Sequence, residues 1–216
     1  MHLHSTYKPS LPSLIVDFLN EKEVIKPFYS FSPSIDGLSN AAAKRKDFPV
    51  NREVLVQQLK LQSEKSKYAN ALTLEQIERL GSDDVFTITT GHQLCVYGGP
   101  MFFIYKILSA IKTCELLKES AIQAVPVYWM ASEDHDFEEI NHIFYHTQKA
   151  TWDIDAKGPV GRLKLYGLEA FKKELKALMG NDPLKADTLI KMDEIFHASK
   201  TLAEAVRDFV YWMFAD

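Results

Sequence analysis

Two cysteines in 216 residues, Cys95 and Cys114, are too few for a disulfide framework and stand in no metal-binding or redox spacing. That scarcity fits a reducing compartment, and the cytoplasm is the expected location. No apolar run reaches the roughly 20 residues that a membrane helix requires. The longest, Ile104 to Leu117, is broken by Lys106, Lys112 and Glu115. Met1 to Tyr7 lack a cationic segment followed by an apolar stretch, so no export signal is expected. A large excess of one charge is also missing. The 25 Lys plus Arg against 29 Asp plus Glu leave a formal net charge of −4, and no global field draws the chain to nucleic acid or anionic lipid. Internal repeats and low-complexity segments are absent. What is present, 46% hydrophobic and 12% aromatic residues, suffices for a real core and argues against disorder.

The stretch to about residue 40 mixes Pro9, Pro12, Pro27 and Pro33 with short apolar runs. It predicts one helix around Leu14 to Leu19 and then an extended arm containing Phe28, Tyr29, Ser30 and Phe31. An imperfect amphipathic helix is expected from Arg52 to about Tyr68. A shorter one follows, its start marked by Thr73 and Gln76 at capping-box spacing. Val85 to Thr90 is β-branched and aromatic and runs into the glycine-bearing loop 91–99; helical spacing then continues from Pro100, suited to a first turn, through Leu117. Ala124 to Met130 is an apolar run of strand length, expected to be buried on both faces, with Tyr128 and Trp129 in the core. Strand, loop, helix, strand predicts a βαβ unit with a right-handed crossover.

Farther along, Phe144 to Thr147 and Ala150 to Ile154 predict a hairpin, and Gly158-Pro159-Val160-Gly161 a turn. Leu168 to Met179 predicts a helix closed by Gly180-Asn181-Asp182-Pro183, and Asp187 to Asp216 a last helix. The apolar end of that helix, with Phe209, Val210, Trp212, Met213 and Phe214, calls for cover by further chain or a partner.

Chemistry concentrates in two places. The loop Gly91 to Gly99 feeds a helix N-terminus, where free N–H groups and the helix dipole favour an anion. Its glycines either admit a ligand to the backbone or serve a tight connection. The segment Ser132 to His142 holds five carboxylates and two histidines in eleven residues, directly after the second strand. Carboxylates beside His135 favour its protonated form, which suits proton transfer. In a helix, His135, Glu139 and His142 would share one face, a metal site or a hydrogen-bond network. Plain decoration of a helix start by acidic residues accounts for the same cluster. Lys106 lies two turns into the helix after Pro100, either reaching a phosphate or lying in solvent. Cys95 has no fixed base beside it and reads as an inert thiol.

The segments Thr90-Gly91-His92-Gln93, Gly99 to Lys106 and Val125 to Asn141, with Phe28 to Ser30 and Pro159 to Leu165, resemble the bacillithiol biosynthesis cysteine-adding enzyme family, BshC. The resemblance covers an N-terminal portion, since family members are more than twice this length. It implies an α/β fold: a Rossmann-like parallel sheet core resembling class I aminoacyl-tRNA synthetases, with an inserted connecting-peptide region. A later coiled coil implies a homodimer. The corresponding division is 1–80, an N-terminal arm and helices; 81–143, the first βαβ part of the core; and 144–216, a connecting-peptide-like insertion and helices. The implied activity is addition of L-cysteine to the amine of glucosamine-malate, the last step of bacillithiol synthesis, without nucleic acid or membrane partners.

Such an amide-forming site needs an anion cradle and a proton acceptor. Gly98, Gly99 and the next helix's N–H groups would hold a phosphate or the malate carboxylates, with Gly91, His92, Gln93 and Lys106 alongside. His135, poised by Asp134 and Asp136, would take the amine proton, and Glu133 or Asn141 would orient the ligand. Synthetase analogy implies ATP or another nucleotide as the activating agent; no metal is expected. Two other readings remain open: a metal-dependent hydrolase or transferase using His135, Glu139 and His142, and a non-catalytic module that binds a sugar acid or nucleotide.

Overall fold

The structure, a computed structural model, describes residues 11–180, 183–197 and 200–215. Met1 to Tyr7, Pro9 and the turn residues Asn181 and Asp182 lie outside it. In place of an extended arm after α1 (Ser13–Leu19), the chain forms a 3-10 turn at Glu23–Phe28 and a second helix, α2 (Ile35–Arg45). Ser34 Oγ accepts the Gly37 amide at 3.0 Å to start α2, and Ala41, Ala42 and Ala43 carry it. α3 (Arg52–Ser63) stops short of the expected Tyr68. α4 (Ala71–Arg79) is capped one turn earlier than expected: Asn70 Oδ1, not Thr73, accepts the amide, that of Thr73, at 2.9 Å.

The βαβ unit is present as β1 (Val85–His92), α5 (Met101–Glu119) and β2 (Gln123–Met130). The strands pair in parallel from Val85 with Gln123 to His92 with Met130. α5 packs on both, burying Phe103, Ile107, Ala110, Cys114 and Leu117. Pro100 sits just before the helix, not within its first turn. In β2 only Ala124 and Val125 are fully buried, and Trp129 is 68% exposed, so the run is not covered on both faces.

After a single turn of helix, α6 (Phe137–Ile140), the predicted hairpin forms as antiparallel β3 (His142–Tyr145) and β4 (Gln148–Thr151). α7 (Leu168–Met179) ends on Gly180 as expected. The expected last helix is two, α8 (Pro183–Ile195) and α9 (Leu202–Met213), because Thr201 and Glu204 form a reciprocal capping box that starts a new helix. The main core joins the β1–α5 loop to this region through Leu94, Val96, Trp152, Phe171, Phe196 and Phe209. Trp152 donates its indole N–H to the Tyr166 carbonyl at 2.8 Å, which satisfies its buried polar atom. The apolar end of α9 turns inward: Phe209 packs on Phe103, Phe196 and Trp212, and Met213 is its one exposed large apolar side chain among the described residues.

Candidate active site

The two parallel strands end side by side. Gly91 lies opposite Trp129 and His92 opposite Met130, and the Ala131 amide reaches the His92 carbonyl at 3.2 Å, extending the pairing past the strand ends. The chain after β2 is then pinned from another direction. Gly161 N–H donates to the Ser132 carbonyl at 2.9 Å and Val160 N–H to the Asp134 carbonyl at 2.7 Å. A cavity of about 530 Å³ opens at the strand tips. It is lined by Gly91, His92, Gln93 and Cys95 from the first tip, by Trp129, Ala131 and Glu139 from the second, and by Pro100, Phe102 and Lys106 from the start of α5.

Each polar group at this cavity has a local reason for its place. Lys106 donates its ammonium to the Gly91 carbonyl, which ties α5 to the tip of β1. A carbonyl oxygen only accepts, so His92 Nδ1, 2.9 Å from the Gln93 carbonyl, carries the proton, and a neutral ring keeps Nε2 as acceptor. The ring is held by edge and tilted contacts with Phe102 at 4.9 Å and Phe103 at 5.3 Å. Tyr128 O–H donates to the His92 carbonyl at 3.2 Å, so Tyr128 is partly buried where Trp129 is not. Gln93 Nε2 donates to Asp134 Oδ2 at 2.7 Å and so bridges the two tips.

The His92 ring does stand beside Cys95, with Nδ1 3.8 Å from its Sγ, although the proton on Nδ1 leaves no base aimed at the thiol. Burial, with a smaller contribution from the Glu139 charge, pushes the Cys95 thiol up to about 11, and it stays protonated near neutrality.

The structure brings Gly91, His92, Gln93 and Lys106 together as expected, but other expected site residues stand elsewhere. Gly98 and Gly99 do not line the cavity. Their amides are spent on the Cys95 carbonyl at 3.4 Å and the Val96 carbonyl at 3.2 Å. Their positive φ values, 84° and 58°, and the Phe209 ring and Cys95 side chain packed on them show a tight connection and not an anion cradle.

His135 is exposed outside the lining, with no partner for its ring among the described residues. Asp134 is engaged by Gln93, while Asp136 is exposed at the start of α6. Glu133 pairs with Arg162 at 3.1 Å, and Asn141 Oδ1 faces His142 Nδ1 at 3.0 Å. The metal face is not assembled: α6 is only four residues long, His142 begins β3, and among the described residues no three His, Cys, Asp or Glu side chains converge.

Trp129, Ala131 and Phe102 are not among the site residues expected from the sequence, and Glu139, expected only on a face with His135 and His142, lines the cavity without them. Strand alternation puts Trp129 and Ala131 on one face, and four-residue spacing puts Phe102 beside Lys106 on α5. Those two periodicities were the available signal. A larger cavity of about 680 Å³ lies between α4, α5, β2 and α9. Its lining is mainly apolar, and its Arg79 guanidinium already donates to Gln76 and Gln123. The strand-tip cavity, with Lys106, Glu139 and the His92 ring at its surface, is the one equipped for chemistry.

The family model described as the bacillithiol biosynthesis BshC, N-terminal Rossmann-like domain, matches residues 1–216. A protein of Cytophaga hutchinsonii named "Putative cysteine ligase BshC" is 41% identical over 205 residues, covering 94% of this chain and 37% of that protein. Proteins of the same name from Flavobacterium johnsoniae and Bacillus cereus are 39% and 29% identical over 204 and 137 residues. These cover 89% and 63% of this chain, and 38% and 25% of those proteins. The chain thus spans less than two fifths of the length of these relatives.

Proposed function

This chain belongs to the bacillithiol biosynthesis BshC family, and from that premise we propose that it supplies the substrate cavity of a cysteine ligase acting on glucosamine-malate and L-cysteine. The observation that carries the reading is the meeting of the β1 and β2 tips in one cavity that holds a cation, a carboxylate and a histidine with a free acceptor nitrogen. The finer fold reading belongs to the same proposal. β1, α5 and β2 open a class I synthetase-like core, residues 144–216 form its connecting-peptide insertion, and the whole protein is a cytoplasmic homodimer.

In the reaction, the sugar amine nitrogen bonds to the cysteine carboxyl carbon, the amine loses a proton, and one carboxyl oxygen leaves with the group that activated it. An ammonium is no nucleophile, so a base must take that proton. His92 is that base in this reading, because its ring lines the cavity and its Nδ1–H is committed to the Gln93 carbonyl, leaving Nε2 to accept. His135, exposed and outside the cavity lining, is not the base in this reading. Gln93 and Asp134 hold the two tips at a fixed separation. Activation of the carboxyl is not assigned to these residues, since the Gly98 and Gly99 amides are already used.

The test is incubation of the full-length protein with glucosamine-malate and L-cysteine, with and without ATP, followed by mass spectrometry of the product. His92→Asn lowers kcat by about 100-fold or more, whereas His135→Asn stays within a few-fold. The reverse order would return the base to His135, and no product under any condition would refute the ligase.

A further inference from the structure

We infer that the strand-tip cavity is the L-cysteine subsite, with Lys106 receiving the substrate carboxylate and Glu139 its ammonium. This rests on the ligase reading and asks which of the two substrates the cavity takes. Apart from His92 and Cys95, its ionisable lining residues are one lysine and one glutamate. Neither is paired with another charged side chain: Lys106 donates only to the Gly91 carbonyl, leaving two N–H groups, and the Glu139 carboxylate has no partner among the described residues. One open cation and one open anion complement a zwitterion. A malate dicarboxylate would meet one favourable charge and one repulsive one. Trp129, Phe102, Pro100 and Ala131 supply an apolar surface for a small, weakly polar side chain.

The arrangement also answers a chemical difficulty of this reaction. An amino acid that is activated next to an amine acceptor can condense with its own kind, because it carries an amine itself. A carboxylate facing that amine holds it as an ammonium, which cannot attack, while the glucosamine amine is left to react. Lys106 beside the carboxylate offsets negative charge at the group that must become electrophilic. The buried, protonated Cys95 at the cavity wall offers no thiolate to compete as a nucleophile for the activated carboxyl.

The experiment is isothermal titration of the full-length protein, under reducing conditions and with and without saturating glucosamine-malate. The ligands are L-cysteine, 3-mercaptopropionate, which lacks the ammonium, and cysteamine, which lacks the carboxylate. Glu139→Gln weakens L-cysteine by about tenfold or more and leaves 3-mercaptopropionate unchanged or tighter, while Lys106→Met weakens L-cysteine similarly and leaves cysteamine unchanged.

A circular dichroism spectrum and a thermal unfolding midpoint that match the parent report that both variants are folded. The inference is overturned if both variants bind L-cysteine within twofold of the parent, if Glu139→Gln weakens 3-mercaptopropionate as much as L-cysteine, or if the parent binds no L-cysteine. Product formation alongside any of these leaves the ligase reading intact. L-Cysteine binding that needs both residues, without product, supports the subsite and refutes the ligase.

Discussion

A glycine in this chain does different work from the one its place in a loop predicts. Gly91 lies opposite Trp129, where an added Cβ would make only ordinary van der Waals contact, and borders the cavity, whereas Gly98 packs under the Phe209 ring at a φ of 84°. A Cβ at position 98 would lie 2.7 Å from that ring, so Gly98→Ala combines steric overlap with backbone strain. The expected loss is about 2–3 kcal/mol, read by urea unfolding, and an unchanged midpoint would contradict the packing role.

The two thiols carry a pH signature. Burial pushes Cys95 and Cys114 from an ordinary value of 9.0 up to about 11, so the folded chain keeps protons that the unfolded chain releases. The stabilisation from the neutral thiols is therefore complete below pH 9 and is lost as pH rises toward 11. Iodoacetamide labelling at pH 9.5, mapped by peptide mass, is expected to be at least about tenfold slower at both sites in native than in denatured protein. Equal rates would contradict this.

At the scale of elements, α5 shows why one half of the site was legible and the other was not. Strand, loop, helix and strand are all marked by local patterns, and the parallel pair follows from them. The acidic segment after β2 carries a shared face for His135, Glu139 and His142 only if it is a regular helix, and only Phe137–Ile140 is helical. Its path is decided by hydrogen bonds from Val160 and Gly161, a contact from nearly thirty residues away that no local period encodes. Hence Glu139 enters the cavity while His135 and His142 do not share its face.

Helix starts show the same limit. The Thr73 and Gln76 spacing resembled a capping box, but Asn70, with its carbonyl oxygen on Thr73 N–H and its amide on the Ala215 carbonyl at 2.7 Å, holds both ends of a longer-range link. Asn70→Ala is expected to cost about 1 kcal/mol or more by thermal unfolding, and Thr73→Ala distinctly less. The opposite ranking would restore the capping box.

For the whole molecule, the two-stranded parallel sheet is small, yet the core runs without a break from the β1–α5 loop into α7, α8 and α9. Residues 144–216 therefore do more than decorate the sheet: their Trp152, Phe171 and Phe209 share one core with the β1–α5 loop, and their 160–162 turn pins the chain that follows β2. Among the described residues, no helix is long and apolar enough to cross a membrane.

The central claim is that the tips of β1 and β2 form one substrate cavity. A crystal structure of the full-length protein with L-cysteine and glucosamine-malate tests it most directly. The account predicts ligand density between Gly91 and Ala131, within reach of His92, Lys106 and Glu139. Density for both substrates elsewhere, with this cavity filled only by solvent, would contradict it.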